Sequence, residues 1–556
     1  MCEGVCVSVR VSASSFKVRA FAAFIFVGAA PANAQAVREP AAIERTIPSQ
    51  DQRLASVPVT TSPMRSRHDS ESSANQFTLG AVNIDGATVY SRHDLSSYFE
   101  PYLATEVDPS KLSEIANAIT TRYRHAGFLL SYATVPAQNV AAGMVRLAVV
   151  EGRISDLSIE GAGAARESVE AIAAPLKGDR PLRTATLERL LGLIRDYPGL
   201  KVTDVALLRS DADASLYRLK ISMVRDRTRA FSYFDNRGSD NAGHLRAFNS
   251  FSFSSLGLPG DELRLDLFAM PGGHSRYLYG QAYGSIALTS SGLRLSLTAS
   301  RGDQYLSANE KFVGKSTNVF AQLSYPLLRS RAFSVVVKTS LGDWQTTGMQ
   351  AHSRQLRDQL HVLRAGADFS AEGRTHLQGE LVLSRGLGFG GMTQVGDPLA
   401  SRRDASGRFT KLSFSLQAVH ALSDRATFRS TVIAQYSNRP LLSAEEFSLG
   451  GNRVGRAFNF NYETADRGAG AGLEIGYRVG RDKDPSGLEF FTFGDGGLVR
   501  EVSSAIQPSA RRGIASVGLG ARLTLFSTTF SIEAGIPVAC SRKQSPRLFI
   551  SAFHSF

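Results

Sequence analysis

FSLGGNRVGRAFNFNYETADRGAGAGLEIGYRV, Phe447 to Val479, changes character half-way along. It opens on Gly450-Gly451 and passes through about twenty polar and aromatic residues. It then becomes an alternation in which Leu473, Ile475, Tyr477 and Val479 interleave with Gly472, Glu474, Gly476 and Arg478. Period two marks a strand with unlike faces. A connection as long as the first half is functional or disordered. Phe447, Phe458, Phe460 and Tyr462 are too many aromatics for a solvated linker, which favours an ordered loop that feeds a strand.

The same alternation fills the chain after Asp226. Leu263, Leu265 and Leu267 oppose Glu262, Arg264 and Asp266. Val517, Leu519, Ala521, Leu523 and Leu525 oppose Ser516, Gly518, Gly520, Arg522 and Thr524, and Phe530, Ile532, Ala534 and Ile536 oppose Ser531, Glu533 and Gly535. A soluble sandwich with a dry core and a membrane barrel with a wet lumen both alternate. The polar face here repeatedly carries charge or glycine, which suits a wet lumen. Sixteen such segments begin near Ala230, Leu245, Glu262, Arg276, Leu293, Asn318, Phe333, His361, Leu377, Thr410, Ala426, Ala471, Leu488, Ala515, Thr529 and Leu548. Tilted strands of about ten residues cross a bilayer, and bacterial barrels use even numbers of them. Lipid offers no hydrogen-bond partners, so such a sheet must close.

Residues 77–226 read differently. Phe77, Leu79 and Ala81 share one face of a strand. Leu112, Ile115, Ile119 and Tyr123 then fall at helical spacing after the cap Asp108-Pro109, and Gly127 stops the helix. Strands follow over Leu130–Val135 and Met144–Val150, and Glu151-Gly152 turns into Ile154–Ile159. Residues 162–226 repeat the plan: Leu187, Leu190, Leu191 and Ile194 form a helical face, Tyr197-Pro198-Gly199 ends it, and two strands follow.

Arg10, Lys17 and Arg19 precede the apolar run Ala20–Ala30 and the small-residue site Ala32-Asn33-Ala34, which together read as a signal peptide over 1–34. The long basic region is consistent with a translation start downstream of Met1. Export removes Cys2 and Cys6 and leaves Cys540 unpaired. It also removes a net +2 from the +13 of the 556-residue chain, leaving +11. That charge reads as arginines spread over lumen and surface, or as attraction to anionic lipopolysaccharide or an acidic substrate. No basic run interleaves with aromatics, so nucleic acid is not an expected partner. Residues 35–76 read as a flexible linker, with Ala41–Leu54 a weak helix interrupted by Pro48.

These pieces resemble the two-partner secretion outer-membrane transporters, the haemolysin secretion/activation family (ShlB/FhaC/HecB type) of the outer-membrane insertase superfamily. Tyr123, Gly127-Phe128, Val135-Pro136-x-Gln138, Gly143 and Val149-Val-Glu-Gly152 are similar to a POTRA domain, and LERLLGLIRDYPG to a second. Asp235-Asn236 and Gly260-Asp261 resemble marks of the first barrel hairpin. Val454-Gly455-Arg456-Ala457-Phe458 resembles the family's loop motif Val-Arg-Gly-Phe/Tyr, with Ala457 replacing its glycine, and Phe493-Gly494-Asp495-Gly496-Gly497 its F-x-D-x-G strand. The last strand, ending at Phe556, is similar to the signal read by the barrel assembly machinery.

The resemblance implies a 16-stranded transmembrane β-barrel (227–556) with a lumen-folded loop (448–470), preceded by α+β POTRA domains at 77–161 and 162–226 and, in the linker, a plug helix. It implies export of one large haemolysin- or adhesin-like partner protein. It also implies a latch in which the Arg456 guanidinium grips the Asp495 carboxylate in two parallel bonds, supported by Gly450, Gly451, Phe458, Phe493 and Gly497. Partner contact is expected on the first POTRA domain, around Tyr123, Gly127, Phe128, Pro136 and Gln138. Asp466 and Glu474 match the family with structural roles. No cofactor, metal or catalytic residue is expected: the ten histidines are scattered, and neither a nucleophile elbow nor a Walker loop is present. A barrel insertase, a passive porin and an autotransporter-like enzyme are the rival readings.

Overall fold

Asp108 starts the first long helix by accepting the amide of Lys111 at 3.0 Å, with Pro109 in the first turn. The helix, Pro109–His125, lays buried Leu112, Ile115, Ile119 and Tyr123 against a three-stranded sheet of Ala81–Asp85, Met144–Val150 and Tyr132–Thr134. Pro136 has no amide to continue the ladder from Tyr132–Thr134. The Gln138 side chain takes over, donating to the Arg146 carbonyl and accepting its amide, both at 2.7 Å. This computed structural model describes residues 60–61 and 76–556, apart from 141, 239–242, 273–274, 307–311, 351–352, 481–486 and 541–543. The expected signal peptide, the plug segment Ala41–Leu54 and most of the linker lie outside the described residues.

The second domain packs the helix Thr184–Arg195 on a sheet ordered Thr60–Thr61, Leu200–Arg209, Leu216–Arg225, Arg153–Glu160. This corrects the expected boundary at 161/162. Arg153–Glu160 pairs in parallel with Leu216–Arg225, and Ile154 and Ile159 are buried in the second core, so the first domain ends near Gly152. Gly152 and Gly127 also carry the joint: the Gly152 carbonyl accepts the Leu182 amide at 2.9 Å, and the Gly127 carbonyl accepts the Thr184 amide at 2.7 Å.

From Thr228 the described residues form a closed antiparallel barrel. Its strands are β1 (Thr228–Asp235), β2 (Arg246–Ser254), β3 (Glu262–Met270), β4 (Ser275–Ala287), β5 (Arg294–Leu306), β6 (Phe312–Arg329), β7 (Phe333–Gln350) and β8 (Ser353–Ala371). Then come β9 (Thr375–Gly386), β10 (Thr410–Ala421), β11 (Ala426–Ser437), β12 (Arg467–Val479), β13 (Gly487–Arg500), β14 (Arg511–Leu525), β15 (Thr528–Ala539) and β16 (Arg547–Ser555). β1 and β16 close it, in register from Phe231↔Ser555 to Asp235↔Ser551. The expected sixteen strands are present. Their faces are inverted relative to a soluble barrel: Leu519 is 65% exposed, while Asp495 on the neighbouring strand is 8% exposed. The apolar residues singled out on β12, β14 and β15 look outward, and the charged and glycine positions between them line the interior. No described helix is long and apolar enough to cross a membrane; the strands do so.

The helix Thr184–Arg195 and the two residues after it fix the second domain to three turns at one rim, the β4–β5 turn through Arg189 and the Ser291 carbonyl at 3.4 Å. Arg189 donates to the carbonyls of Pro326 and Leu327 and to the Tyr325 hydroxyl. Arg329 grips Asp196 with two bonds of 2.7 Å, and Tyr197 accepts the Gly260 amide at 2.7 Å. That rim is therefore the domain side, and the connections β9–β10, β11–β12 and β13–β14 lie at the opposite mouth.

Candidate functional site

The β11–β12 loop turns back into the barrel. Phe447–Leu449 and Glu463–Ala465 pair as a small hairpin, and Val454, Ala457 and Phe458 join them in a buried cluster with Val499 and Ile514 of the wall. Gly450, Gly451 and Gly455 hold φ of +108°, +105° and +83°, so the tip is a run of left-handed turns. Two of these positions leave no room for a side chain: a Cβ at Gly450 would lie 2.2 Å from the Asn459 carbonyl oxygen, and one at Gly455 would lie 2.4 Å from Ile514 Cδ1. Ala457 lies outside the left-handed region and packs against Gly535, which is why alanine is accommodated there.

The structure brings Arg456 and Asp495 together but corrects how they meet. The Asp495 carboxylate accepts the backbone amides of Gly455 at 2.7 Å and Arg456 at 3.2 Å, and the Ser516 hydroxyl at 2.6 Å. The guanidinium passes beyond it. It lies 3.7 Å over the Phe493 ring, donates Nη1 to Glu474 at 2.7 Å and Nε to Glu533 at 3.2 Å, and forms an ion pair with Glu533 through Nη2. Asp495 is too short to hold both the turn and its side chain. The longer glutamates, on strands to either side, receive the charge. Glu474 sits directly opposite Phe493 in the β12–β13 register, so ring and carboxylate form the floor and one wall of the arginine slot.

This pairing belongs to a larger network. Arg237, just after β1, donates to the Arg456 carbonyl at 2.7 Å and pairs with Glu533 at 2.5 Å. Arg522 forks onto Glu474 with bonds of 2.6 and 2.8 Å and lies 3.8 Å over Phe491. Gly518 and Gly520 leave room for the Phe493 and Phe491 rings, whose atoms would lie 2.3 and 2.4 Å from an added Cβ. Of the supporting residues expected, Phe458 is buried in the loop cluster, and Gly497 lies against the Ala469 carbonyl with no room for a side chain. Sequence reading missed Glu533, Arg237 and Arg522 and gave Glu474 only a structural role. For Glu474, Arg522 and Glu533 the usable signal was their place on the glycine-and-charge face of an alternating strand, whereas Arg237, beyond the end of β1, carried no such signal.

A second cluster sits at the mouth opposite the POTRA domains. Arg402, in the β9–β10 loop, pairs with Asp404 at 2.9 Å, Glu446 at 3.0 Å and Asp466 at 2.7 Å, all buried. Asp466 also accepts the amides of Leu441 and Val502 at 2.7 Å, so one carboxylate ties three loops together.

In the first domain, Tyr123 is 0% exposed. Its hydroxyl donates to Glu151 at 2.8 Å, and Glu151 also accepts the amides of Thr88 and Val89. Tyr123 is thus a core residue, which corrects its expected place at a contact surface, and Phe128 packs on it edge-on with ring centroids 6.0 Å apart. Gly127 ends the helix and holds the domain joint. Pro136 and Gln138 shape the strand edge described above.

A family model described as "Haemolysin secretion/activation protein ShlB/FhaC/HecB" matches residues 218–523, more than half of the chain. The chain belongs to the ShlB/FhaC/HecB haemolysin secretion/activation family. A second model, "POTRA domain, ShlB-type", matches residues 77–152 and ends where the sheet topology places the domain boundary. The heme/hemopexin transporter protein HuxB of Haemophilus influenzae (strain ATCC 51907 / DSM 11121 / KW20 / Rd) is 24% identical over 396 residues, 67% of each chain. The outer membrane transporter CdiB of Dickeya dadantii (strain 3937) is 22% identical over 438 residues, 76% of each. Among solved structures, CdiB from Escherichia coli matches with a TM-score of 0.72 at 18% identity, covering 93% of this chain and 95% of that one. CdiB from Acinetobacter baumannii matches with a TM-score of 0.65 at 17% identity, covering 91% and 95%. These two likenesses establish the fold. As a ShlB/FhaC/HecB-family protein the chain is a two-partner secretion transporter of the outer membrane, with its POTRA domains in the periplasm.

Proposed function

We propose that this transporter captures one large, unfolded haemolysin- or adhesin-like protein on its POTRA domains and passes it through the barrel when the β11–β12 loop releases. The observation that carries the latch is the seating of Arg456 between Glu474 and Glu533, with Asp495 holding the turn that presents it. Each charge-assisted bond contributes on the order of 1.5–3 kcal/mol, enough to hold a loop and small enough to break in transport. Capture is supported by open sheet edges. Tyr132–Thr134 is an edge of the first sheet and Arg153–Glu160 of the second, and backbone pairing accepts many sequences.

The same proposal includes residues 1–34 as a signal peptide, anionic outer-membrane lipid around the barrel, and insertion by the barrel assembly machinery. It assigns no catalytic step and no cofactor. Supply of energy by folding of the cargo outside the cell suits a chain with no nucleotide-binding loop in its sequence.

The test is co-expression with a candidate partner from a neighbouring reading frame, assayed in the culture medium. Arg456→Ala should cut export at least tenfold while the barrel still assembles, and Arg456→Lys should restore only part of it, because a point charge cannot reach both glutamates in plane. Undiminished export by Arg456→Ala removes the latch from the mechanism.

A further inference from the structure

We infer that the outer wall of the barrel carries a phosphate-binding band for lipopolysaccharide at its extracellular rim, built on Arg467, Arg500 and Arg511 and extended by Arg385, Arg408 and Arg439. This rests on the outer-membrane placement given above and names the lipid contact.

Arg467 lies directly opposite Arg500 in the β12–β13 register, and Arg500 directly opposite Arg511 in the β13–β14 register. Residues opposite one another in an antiparallel pair point to the same face. That face is the outer one: along β12 it continues through Leu473, Ile475 and Tyr477, and along β13 through Leu498, all exposed. Like charges in direct opposition are destabilising. Here three stand in a row, and among the described residues none makes an ion pair with a carboxylate. Arg467 donates to the Ser437 carbonyl at 2.7 Å and covers the Tyr436 ring, and Arg500 donates to the Ser509 hydroxyl at 3.1 Å. The neighbouring inward-facing cation is treated in the opposite way. Arg512, one residue from Arg511, pairs with both Glu463 at 2.6 Å and Glu501 at 2.9 Å.

Beside the row, Arg385, Arg408 and Arg439 converge with Phe409 and Asn438 on a cleft of about 160 Å³. Arg385 donates to the Thr410 hydroxyl at 2.5 Å and Arg408 to the Gly388 carbonyl at 3.2 Å, which fixes both without neutralising either. The two groups are continuous, because the carbonyl that Arg467 binds is that of Ser437, next to Asn438. Just below stand outward-facing Leu383, Leu412, Tyr436 and Leu498. A guanidinium fork matches phosphate oxygens in two parallel bonds. The required occupant therefore carries several phosphates immediately above acyl chains. The phosphorylated sugar of lipid A has that chemistry and occupies the leaflet at this rim.

The experiment uses the full-length protein in mild detergent, with binding read by native mass spectrometry against lipid A, dephosphorylated lipid A, phosphatidylglycerol and inorganic phosphate. Lipid A should bind tightest. The triple variant Arg467→Gln/Arg500→Gln/Arg511→Gln should bind it roughly a hundredfold more weakly, from the usual gain per arginine beside an anionic lipid surface. Heat-modifiable migration checks that the variant barrel is closed; if it is not, Arg385→Gln/Arg408→Gln/Arg439→Gln provides the same reading from the cleft. Equal binding by wild type and a closed variant overturns the site, as does equal binding of dephosphorylated lipid A. Inorganic phosphate as tight as lipid A overturns a lipid site in favour of a free-anion site. Export of the partner is measured in parallel: lipid binding lost with export retained leaves the transporter reading intact, and export lost with lipid binding retained faults only that reading.

Discussion

Arg237 and Arg456 close on one carboxylate, that of Glu533, and Arg237 also holds the Arg456 carbonyl at 2.7 Å. Arg237 follows β1, the strand that closes the barrel against β16. The loop tip is thereby tied to the seam as well as to the wall. Glu533→Ala leaves two buried guanidiniums competing for the remaining acceptors, and breaking a buried pair by removing one partner costs about 3–5 kcal/mol. The expected results are a heat-modifiability transition at lower temperature and more frequent channel openings in planar bilayers. Glu533→Gln keeps an acceptor and should show a smaller effect in the same direction. Wild-type currents from Glu533→Ala would remove Glu533 from the latch.

The tip conformation gives a second prediction. Gly455 holds φ +83°, and an added Cβ would lie 2.4 Å from Ile514 Cδ1. Left-handed backbone costs an L-residue roughly 1–2 kcal/mol before any clash. Gly455→Ala should therefore misplace the Arg456 amide from Asp495 and reproduce most of the export defect of Arg456→Ala. Ala457→Gly should leave export within about twofold, since Ala457 has no positive φ to relieve. Equal effects from the two would place the glycine requirement elsewhere.

Why was so much of this legible beforehand? Period two reports which face of a strand is greasy, and in a closed barrel that is nearly the whole fold, so β12, β14 and β15 were readable from single strands. The signal is local, however, and ionic partners are not. Glu533 lies 77 residues from Arg456 and meets it only because β15 is the second strand beyond β13. The resemblance located Arg456 and Asp495, but the expected fork onto Asp495 gave the wrong atoms: that carboxylate holds backbone amides, and the guanidinium goes to Glu474 and Glu533. The boundary at Gly152 was misread because Arg153–Glu160 continues directly from the first domain in sequence while pairing with a strand that begins at Leu216.

Glu151 supplies a pH prediction. Burial pushes its carboxyl up, but the hydrogen bonds from Thr88, Val89 and Tyr123 outweigh burial and hold it below its ordinary value of 4.5. Burial and then Glu151 itself push the Tyr123 phenol well above its ordinary 10.0, so it remains a donor throughout. A carboxyl with a depressed folded-state value binds fewer protons folded than unfolded. Its stabilisation is full at neutral pH and is lost as pH falls below 4.5 through the lower folded-state value. Amide exchange over residues 81–89 and 144–151 of the intact protein should accelerate across that window. Tyr123→Phe should cost about 1–2 kcal/mol of local stability at neutral pH, and Glu151→Gln should flatten the pH dependence. An unchanged pH profile in Glu151→Gln assigns the acid lability to another group.

The mouth cluster predicts a lock separate from the loop tip. Arg402 is the cation that Asp404, Glu446 and Asp466 share, and their side chains are 4% exposed or less. Arg402→Met keeps much of the stem's packing but leaves those carboxylates facing one another, a change of about 3–5 kcal/mol for a buried ionic group that loses its partner. The β9–β10 loop should then separate from the base of the β11–β12 loop, because Arg402 bridges them through Glu446 and Asp466. In a Cys540→Ser background, which removes the chain's own half-buried thiol, cysteine placed at Ala405, which is 1% exposed, reports the separation through labelling by a membrane-impermeant thiol reagent. Labelling should be negligible in Ala405→Cys and rapid in Ala405→Cys/Arg402→Met. Adding Asp466→Asn removes one of the stranded charges and should slow labelling again, a coupling that a double-mutant cycle measures directly. Arg456→Ala should leave the labelling of Ala405→Cys slow, because its glutamates lie in the lumen wall and share no atom with the mouth cluster. Fast labelling in that variant would instead make tip and mouth one cooperative latch.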